Sequence, residues 1–237
     1  MNSIKKQARV AGLLYLLASI PAPFGLIYVP NKLIVLNDAT ATADHIRASE
    51  SLFRLGIASE LIGSILFIYV AVALYRLFRR VNEMQAVTMM VLILISFPIS
   101  FVSLVHELGA LVVVSGANFL SAFDKNQLDA LAYLFIRLHG RGVSVAEIFW
   151  GLWLFPFAIL VIRSGFIPRV LGFLLILAAF GYLASSFTFL LLPAYGPAID
   201  SVASKLILCE LPIIFWLLIW GAKGQSLGNQ HSDPAIT

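Results

Sequence analysis

Six stretches of this chain run almost without interruption in apolar residues, at about 10–29, 56–77, 86–114, 143–162, 168–192 and 202–222. Each is about 20 residues or longer, enough for a helix to cross a hydrocarbon layer about 30 Å thick. Lipid offers the backbone no hydrogen-bond partner, so spans of this kind are predicted to be helical. The strict alternation expected of barrel strands is absent. The fold class is therefore all-α, a polytopic membrane protein with six transmembrane helices in a single domain over 1–224. The tail at 225–237 is rich in small and polar residues and is expected to be disordered.

Between the spans the pattern changes. In 125–139, Leu128, Leu131, Phe135 and Leu138 recur at helical spacing, with Asp129 and Arg137 off the stripe. This predicts an extra amphipathic helix resting on the outer interface or on the bundle top. Gly140 and Gly142 are expected to end it before the fourth span. Residues 42–54 read as a polar outer extension of the second helix. The first span follows Lys5, Lys6 and Arg9, as a signal peptide would. Its apolar stretch exceeds the usual h-region of about 7–15 residues, so it is read as a span. Pro21 and Pro23 are expected to bend or end it near its outer end.

Composition fits this class. Of 237 residues, 60% are hydrophobic and 12% charged, against about 25% charged in soluble domains. The net charge of +4 is spread over short loops and is no nucleic-acid footprint. The lipid bilayer is the expected partner, and a homo-oligomer is compatible with a bundle of this size. Loops on one side carry Lys5, Lys6, Arg9, Arg76, Arg79, Arg80, Arg163, Arg169 and Lys223. The other side's cations lie mostly in two long connections that also hold Asp38, Asp44, Glu50, Asp124 and Asp129. This bias predicts a cell (plasma) membrane protein with both termini cytoplasmic. Cys209 is the only cysteine, which excludes an intramolecular disulfide and a cysteine-based zinc site.

Four glutamates interrupt the spans: Glu60, Glu107, Glu147 and Glu210. The topology puts all four in the outer leaflet, about 6–12 Å deep where the helix runs inward. A carboxylate there needs a partner, a proton or a wet cavity. Gly56, Glu60 and Gly63 share one helical stripe, as do Ser96, Ser100, Ser103 and Glu107, and Ser144, Glu147 and Gly151. Small and polar residues mark bundle-facing surfaces, so three helices are expected to aim a carboxylate inward. Glu210 has only Leu206, Ile207, Ile213 and Ile214 around it. Tyr182, Ser185 and Ser186 add polar groups at similar depth. Ligand-binding candidates are thus Glu60, Glu107, Glu147, Glu210, Ser103, Tyr182 and Ser185, assisted by His106, His139, Arg54 and Arg141.

The structural alternative is ion pairing of the glutamates by Arg54, Arg137, Arg141 or Lys205, or a protonated carboxyl bonded to serine. Metal binding would need Glu60, Glu107, Glu147, His106 and His139 to converge. The run His106-Glu107-Leu108-Gly109-Ala110 begins like the zinc-protease helix motif, but Ala110 stands at the second histidine position. No metal and no cofactor is assigned. Nucleophilic, Walker and dinucleotide motifs are also absent.

Three segments carry a family likeness: Ala8-Arg9-Val10-Ala11-Gly12-Leu13-Leu14-Tyr15-Leu16-Leu17, Ser51-Leu52-Phe53-Arg54-Leu55-Gly56-Ile57, and Arg163-Ser164-Gly165-Phe166-Ile167-Pro168-Arg169 with the residues after it. Together they resemble a family of bacterial six-helix membrane proteins catalogued as a domain of unknown function. The likeness implies the topology and no catalytic position. The functional expectation comes from the glutamates: a binding or transport protein with an outward-facing acidic cavity for a proton, a cation or a cationic small molecule. One alternative is an enzyme acting on a lipid-type substrate, with a glutamate base assisted by His106 or His139. Another is a membrane scaffold or sensor subunit that docks through Leu131 and Phe135.

Overall fold

In the computed structural model, residues 3–222 are described, and the expected tail at 225–237 lies outside them. Among the described residues, six helical stretches are long and apolar enough to cross a membrane: Ile4–Leu33, Glu50–Phe78, Glu83–Val114, Lys125–Ser164, Arg169–Leu191 and Pro193–Ile219. No strand is present among them. The chain is an all-α, multi-pass membrane protein. Large apolar side chains such as Leu13, Leu17, Val102, Val105, Phe173 and Phe180 remain exposed on its sides, where lipid would cover them.

The first span does not stop at its prolines. Helix α1 (Ser3–Ser19) passes into one turn, α2 (Pro21–Pro23), then a π-helical stretch at Phe24–Tyr28, then α3 (Val29–Leu33). Each proline removes an N–H from the ladder. The chain resumes with a wider repeat, in which the Val29 N–H donates to the Phe24 carbonyl. Span one therefore reaches Leu33, past the expected end.

The polar segment that follows is a separate helix. In α4 (Ala39–Ala48) the Ala41 N–H donates to the Asp38 carboxylate at 2.8 Å, capping its start. The backbone breaks at Ser49 (φ −131°, ψ 41°), and α5 (Glu50–Phe78) begins at the next residue. Residues 42–54 are therefore not one extension of the second helix; α4 instead packs against α7. Helix α6 (Glu83–Val114) starts at an Asn82 cap and carries Pro98 in its interior.

The largest departure from expectation is α7 (Lys125–Leu152), which opens on a capping box between Asp124 and Gln127. It runs unbroken through Gly140 and Gly142, so the amphipathic segment and the fourth span are one rod. A glycine inside a helix costs only about 1 kcal/mol, and α7 buries a long face against α6. Ala132 and Ile136 enter a core with Leu104, Ala110 and Leu111. Asp129, expected on the polar side, is fully buried. It is held by Arg47 from α4 and by Lys125 at 2.8 Å. The same Lys125 ammonium, with Arg47, holds the exposed Asp44 carboxyl below its ordinary range.

After Trp153 the fourth span continues as α8 (Leu154–Ser164). Pro156 explains the interruption, because its ring crowds the carbonyl four residues back. Gly165 takes a left-handed conformation (φ 71°) to close α8. Helix α9 (Arg169–Leu191) follows. The sixth span begins earlier than expected, as α10 (Gly196–Ile207), and reaches α11 (Leu211–Ile219) through a tight turn at Leu208–Glu210 just before Pro212.

Two apolar centres hold the bundle. The larger packs Tyr15, Leu74, Phe78, Met89, Trp153, Phe157, Leu175 and Ile213, toward the end that carries Lys5, Lys6, Arg76 and Arg169. The smaller lies at the opposite end and joins Val29, Ile46, Phe53, Leu111 and Ile136.

Continuity of α7 is testable at its two glycines. Nothing lies within 4 Å of a Cβ placed at Gly140, whereas one at Gly142 overlaps the Ser103 hydroxyl and comes within 3.0 Å of Ser103 Cβ. Gly140→Ala should therefore stabilise the protein by about 1 kcal/mol. Gly142→Ala should destabilise it by about 1–3 kcal/mol. Thermal unfolding in detergent separates the two, and equal losses at both positions would contradict an unbroken helix.

Candidate functional site

Helices α5, α6 and α7 bring Glu60, Glu107 and His139 together. One donor atom from each lies within 4.8 Å of the other two. His139 Nε2 is 3.7 Å from Glu60 Oε2 and 3.7 Å from Glu107 Oε1. All three side chains are buried, with relative exposures of 8%, 5% and 7% in that order. Glu60 Oε1 and Glu107 Oε2 are buried and have no hydrogen-bond partner. Among the described residues, no lysine or arginine pairs with either carboxylate.

Local sequence explains the convergence. Glu107 lies one turn beyond Ser103 on the buried face of α6. Glu60 sits between Gly56 and Gly63 on the buried face of α5. His139 belongs to the run Asp129, Ala132, Ile136, His139 and Ala146, spaced at whole turns along the buried face of α7. The His139 ring is fixed from behind, with Nδ1 3.1 Å from the Ser103 carbonyl. A carbonyl only accepts, so Nδ1 carries a proton and Nε2 is the atom turned toward the carboxylates.

The π-helical turn of span one closes the site. A Cβ at Gly25 would collide with Glu60 Cγ and lie 3.1 Å from Glu60 Oε1. Glycine is therefore the residue that lets this turn pass over the carboxylate. Wide helical turns of this kind recur at functional sites.

The other candidates go elsewhere. Glu210 receives hydrogen bonds from Tyr15 on α1 and from Tyr182 on α9, the latter at 3.0 Å. Both its oxygens are satisfied, so it ties three spans together. Ser185 donates to Asp200 at 2.8 Å, and Ser186 donates to the Ser144 carbonyl at 2.6 Å. Glu147 has no ion-pair partner among the described residues and stands outside the Glu60 cluster. Arg54 pairs with Glu50 at 2.7 Å, and Arg141 lies 3.9 Å from the centre of the Phe189 ring. Neither pairs with Glu60, Glu107, Glu147 or Glu210, so among the described residues the alternative of neutralisation by arginine is not seen for these four. His106 tilts against Phe135, with its Nδ1 buried and unpartnered. Ser103 contributes its carbonyl, while its hydroxyl donates back to Ile99 at 2.8 Å.

Sequence reasoning did not name two participants, Gly25 and Tyr15. Tyr15 had a visible signal, as one of few polar groups in a long apolar run. Gly25 had none, because its role depends on the π-helical register.

The fold and site define a class: a six-span helical membrane protein with a carboxylate–histidine cluster buried between its second, third and fourth spans. The chain belongs to the family described as a domain of unknown function (DUF4386), whose model matches residues 10–221. No curated protein and no solved structure gives a significant match.

The Glu210 tie predicts a pair of matched losses. Tyr15→Phe and Tyr182→Phe each remove a donor from the half-buried Glu210 carboxyl, at a cost of about 1–3 kcal/mol. Thermal unfolding in detergent should show both; a Tyr182→Phe midpoint equal to wild type would contradict the tie.

Proposed function

We propose that this protein binds a cation at the Glu60–Glu107 pair, as a membrane binding or transport protein. The observation that carries the reading is the burial of two facing carboxylates with an unpartnered oxygen on each and no cationic side chain alongside. Two such charges in a medium of low polarity are sustained only by a proton or a bound cation. Intramembrane carboxylates of this kind commonly mark ion and proton pathways. The two glutamates come from neighbouring spans, so an ion held there can be released by a modest shift of one span.

Charge bias sets the proposed orientation. The short loops with Arg76, Arg79, Arg80, Arg163 and Arg169 face the cytoplasm of a bacterial cell, with both termini inside. The site then lies nearer the outer side of the plasma membrane. With Cys209 replaced by serine, a cysteine introduced at Asn37 should react with a membrane-impermeant thiol reagent on intact cells, and one at Arg79 should not. The reverse pattern would overturn the orientation.

A second reading rests on His139. Its Nε2 is 3.7 Å from both carboxylates, a separation that can tighten to a hydrogen bond when a substrate binds. That arrangement would suit a general base acting on a lipid-type substrate. Turnover of an outer-leaflet lipid by the purified protein, lost in Glu107→Gln, would favour the enzyme.

Cation binding is tested by thermal unfolding across a cation panel and between about pH 4 and 9, a range that starts near the ordinary carboxylate value of about 4.3. The wild-type midpoint should respond to at least one cation or to pH. Glu60→Gln/Glu107→Gln should fold and lose that response. Identical midpoints for both proteins in every condition would contradict the reading.

A further inference from the structure

The identity of the cation is legible in the donor set. We infer that Glu60, Glu107 and His139 form a site for a divalent first-row transition metal ion of the zinc, manganese or iron(II) class. This rests on the cation-binding reading above and narrows it.

The imidazole is arranged as a metal ligand. Metal-bound histidines hold the far ring nitrogen on a carboxylate, a backbone carbonyl or water, which fixes the tautomer and the ring plane. Here the Ser103 carbonyl takes that part at 3.1 Å. In the neutral ring, Nε2 then presents a bare lone pair to the two carboxylates.

Spacing separates an ion from a proton. A carboxylic acid donating to Nε2 would stand at about 2.7–3.2 Å. The observed separations are both 3.7 Å. Ligands about 2.1 Å from a common ion at tetrahedral angles stand about 3.4 Å apart. Both histidine–carboxylate separations are therefore closer to those of donors around one ion than to a direct hydrogen bond, and the three donor atoms lie within 4.8 Å of one another.

Charge agrees. Two carboxylates and a neutral imidazole carry two negative charges, which one divalent cation cancels without any lysine or arginine. Donor chemistry sets the class. Imidazole with carboxylate suits zinc, manganese, iron and nickel, whereas calcium and magnesium prefer oxygen alone and copper(I) prefers sulfur. The one cysteine, Cys209, is not in the cluster. The unpartnered Glu60 Oε1 and Glu107 Oε2 remain as further donors, to the ion or to a water bound on it. Three protein ligands leave a position open, as labile and catalytic sites do and closed structural sites do not.

The site also has room made for it. Gly25 keeps the turn of span one off Glu60, and Gly142 keeps α7 off Ser103, the residue that holds the histidine. Either position bearing a side chain would press on a ligand or on its support.

The test uses the full-length protein in detergent, stripped with chelator and titrated with zinc and with manganese by calorimetry and thermal shift. The expected result is one ion per chain with stabilisation of the wild type. His139→Asn, Glu60→Gln and Glu107→Gln should each weaken affinity by more than the about 10–100-fold that loss of an outer-shell partner costs. His106→Asn, which alters a histidine outside the cluster, should leave it within about twofold. Circular dichroism and size-exclusion profiles show which variants fold; should one fail, the remaining two decide.

Unchanged zinc and manganese affinity in His139→Asn would overturn the inference. So would a wild type that binds neither metal while its midpoint still follows pH and Glu60→Gln/Glu107→Gln does not. That second outcome leaves a proton site and the cation reading intact. Loss of both responses would remove the two readings together.

Discussion

The arrangement of this bundle turns on one constraint, that carboxylates buried among apolar helices must be neutralised where they stand. Transferring an ionised carboxylate from water into the interior is prohibitive unless a counter-charge, a set of donors or a proton meets it. Three different answers occur among the described residues. Asp129 has two cations, Arg47 and Lys125. Glu210 has two phenols, Tyr15 and Tyr182. The Glu60–Glu107 pair has only His139, at a distance too long for a hydrogen bond.

The first two solutions join elements and are complete in themselves. The ion cluster at Asp129 clamps α4 onto the upper part of α7, and the tyrosines gather α1, α9 and the sixth span about one carboxyl. The third is incomplete, and the surrounding backbone is shaped around it. Span one widens into a π-helical turn whose Gly25 clears Glu60. Helix α7 brings Gly142 against Ser103, which in turn orients His139. The π-helical turn at Gly25 and the close approach at Gly142 thus both lie at the Glu60–Glu107–His139 cluster.

Much of this was legible in the sequence. Apolar length alone marked six spans, and small-residue stripes turned Glu60 and Glu107 inward. What failed was local punctuation. Gly140 and Gly142 read as a break, yet in a rod packed along most of its length they are a tolerated gap and a close approach. With α7 read as two pieces, His139 fell at a helix end instead of on the face that also buries Ala132, Ile136 and Ala146. Glu147 and Glu210 shared the expected depth with the other glutamates, but depth does not fix direction around the axis. Glu210 lies on a tight turn before Pro212, which rotates it toward Tyr15 and Tyr182. Neighbours that come from remote spans leave no trace in local periodicity.

The central claim, that Glu60, Glu107 and His139 hold a cation between them, is tested most directly by X-ray absorption on the zinc-loaded protein. The account predicts a first shell of nitrogen and oxygen only, with the outer-shell scattering of a single imidazole. That imidazole signal should disappear in His139→Asn. A sulfur shell from Cys209, or an oxygen-only shell that is the same in wild type and His139→Asn, would contradict it.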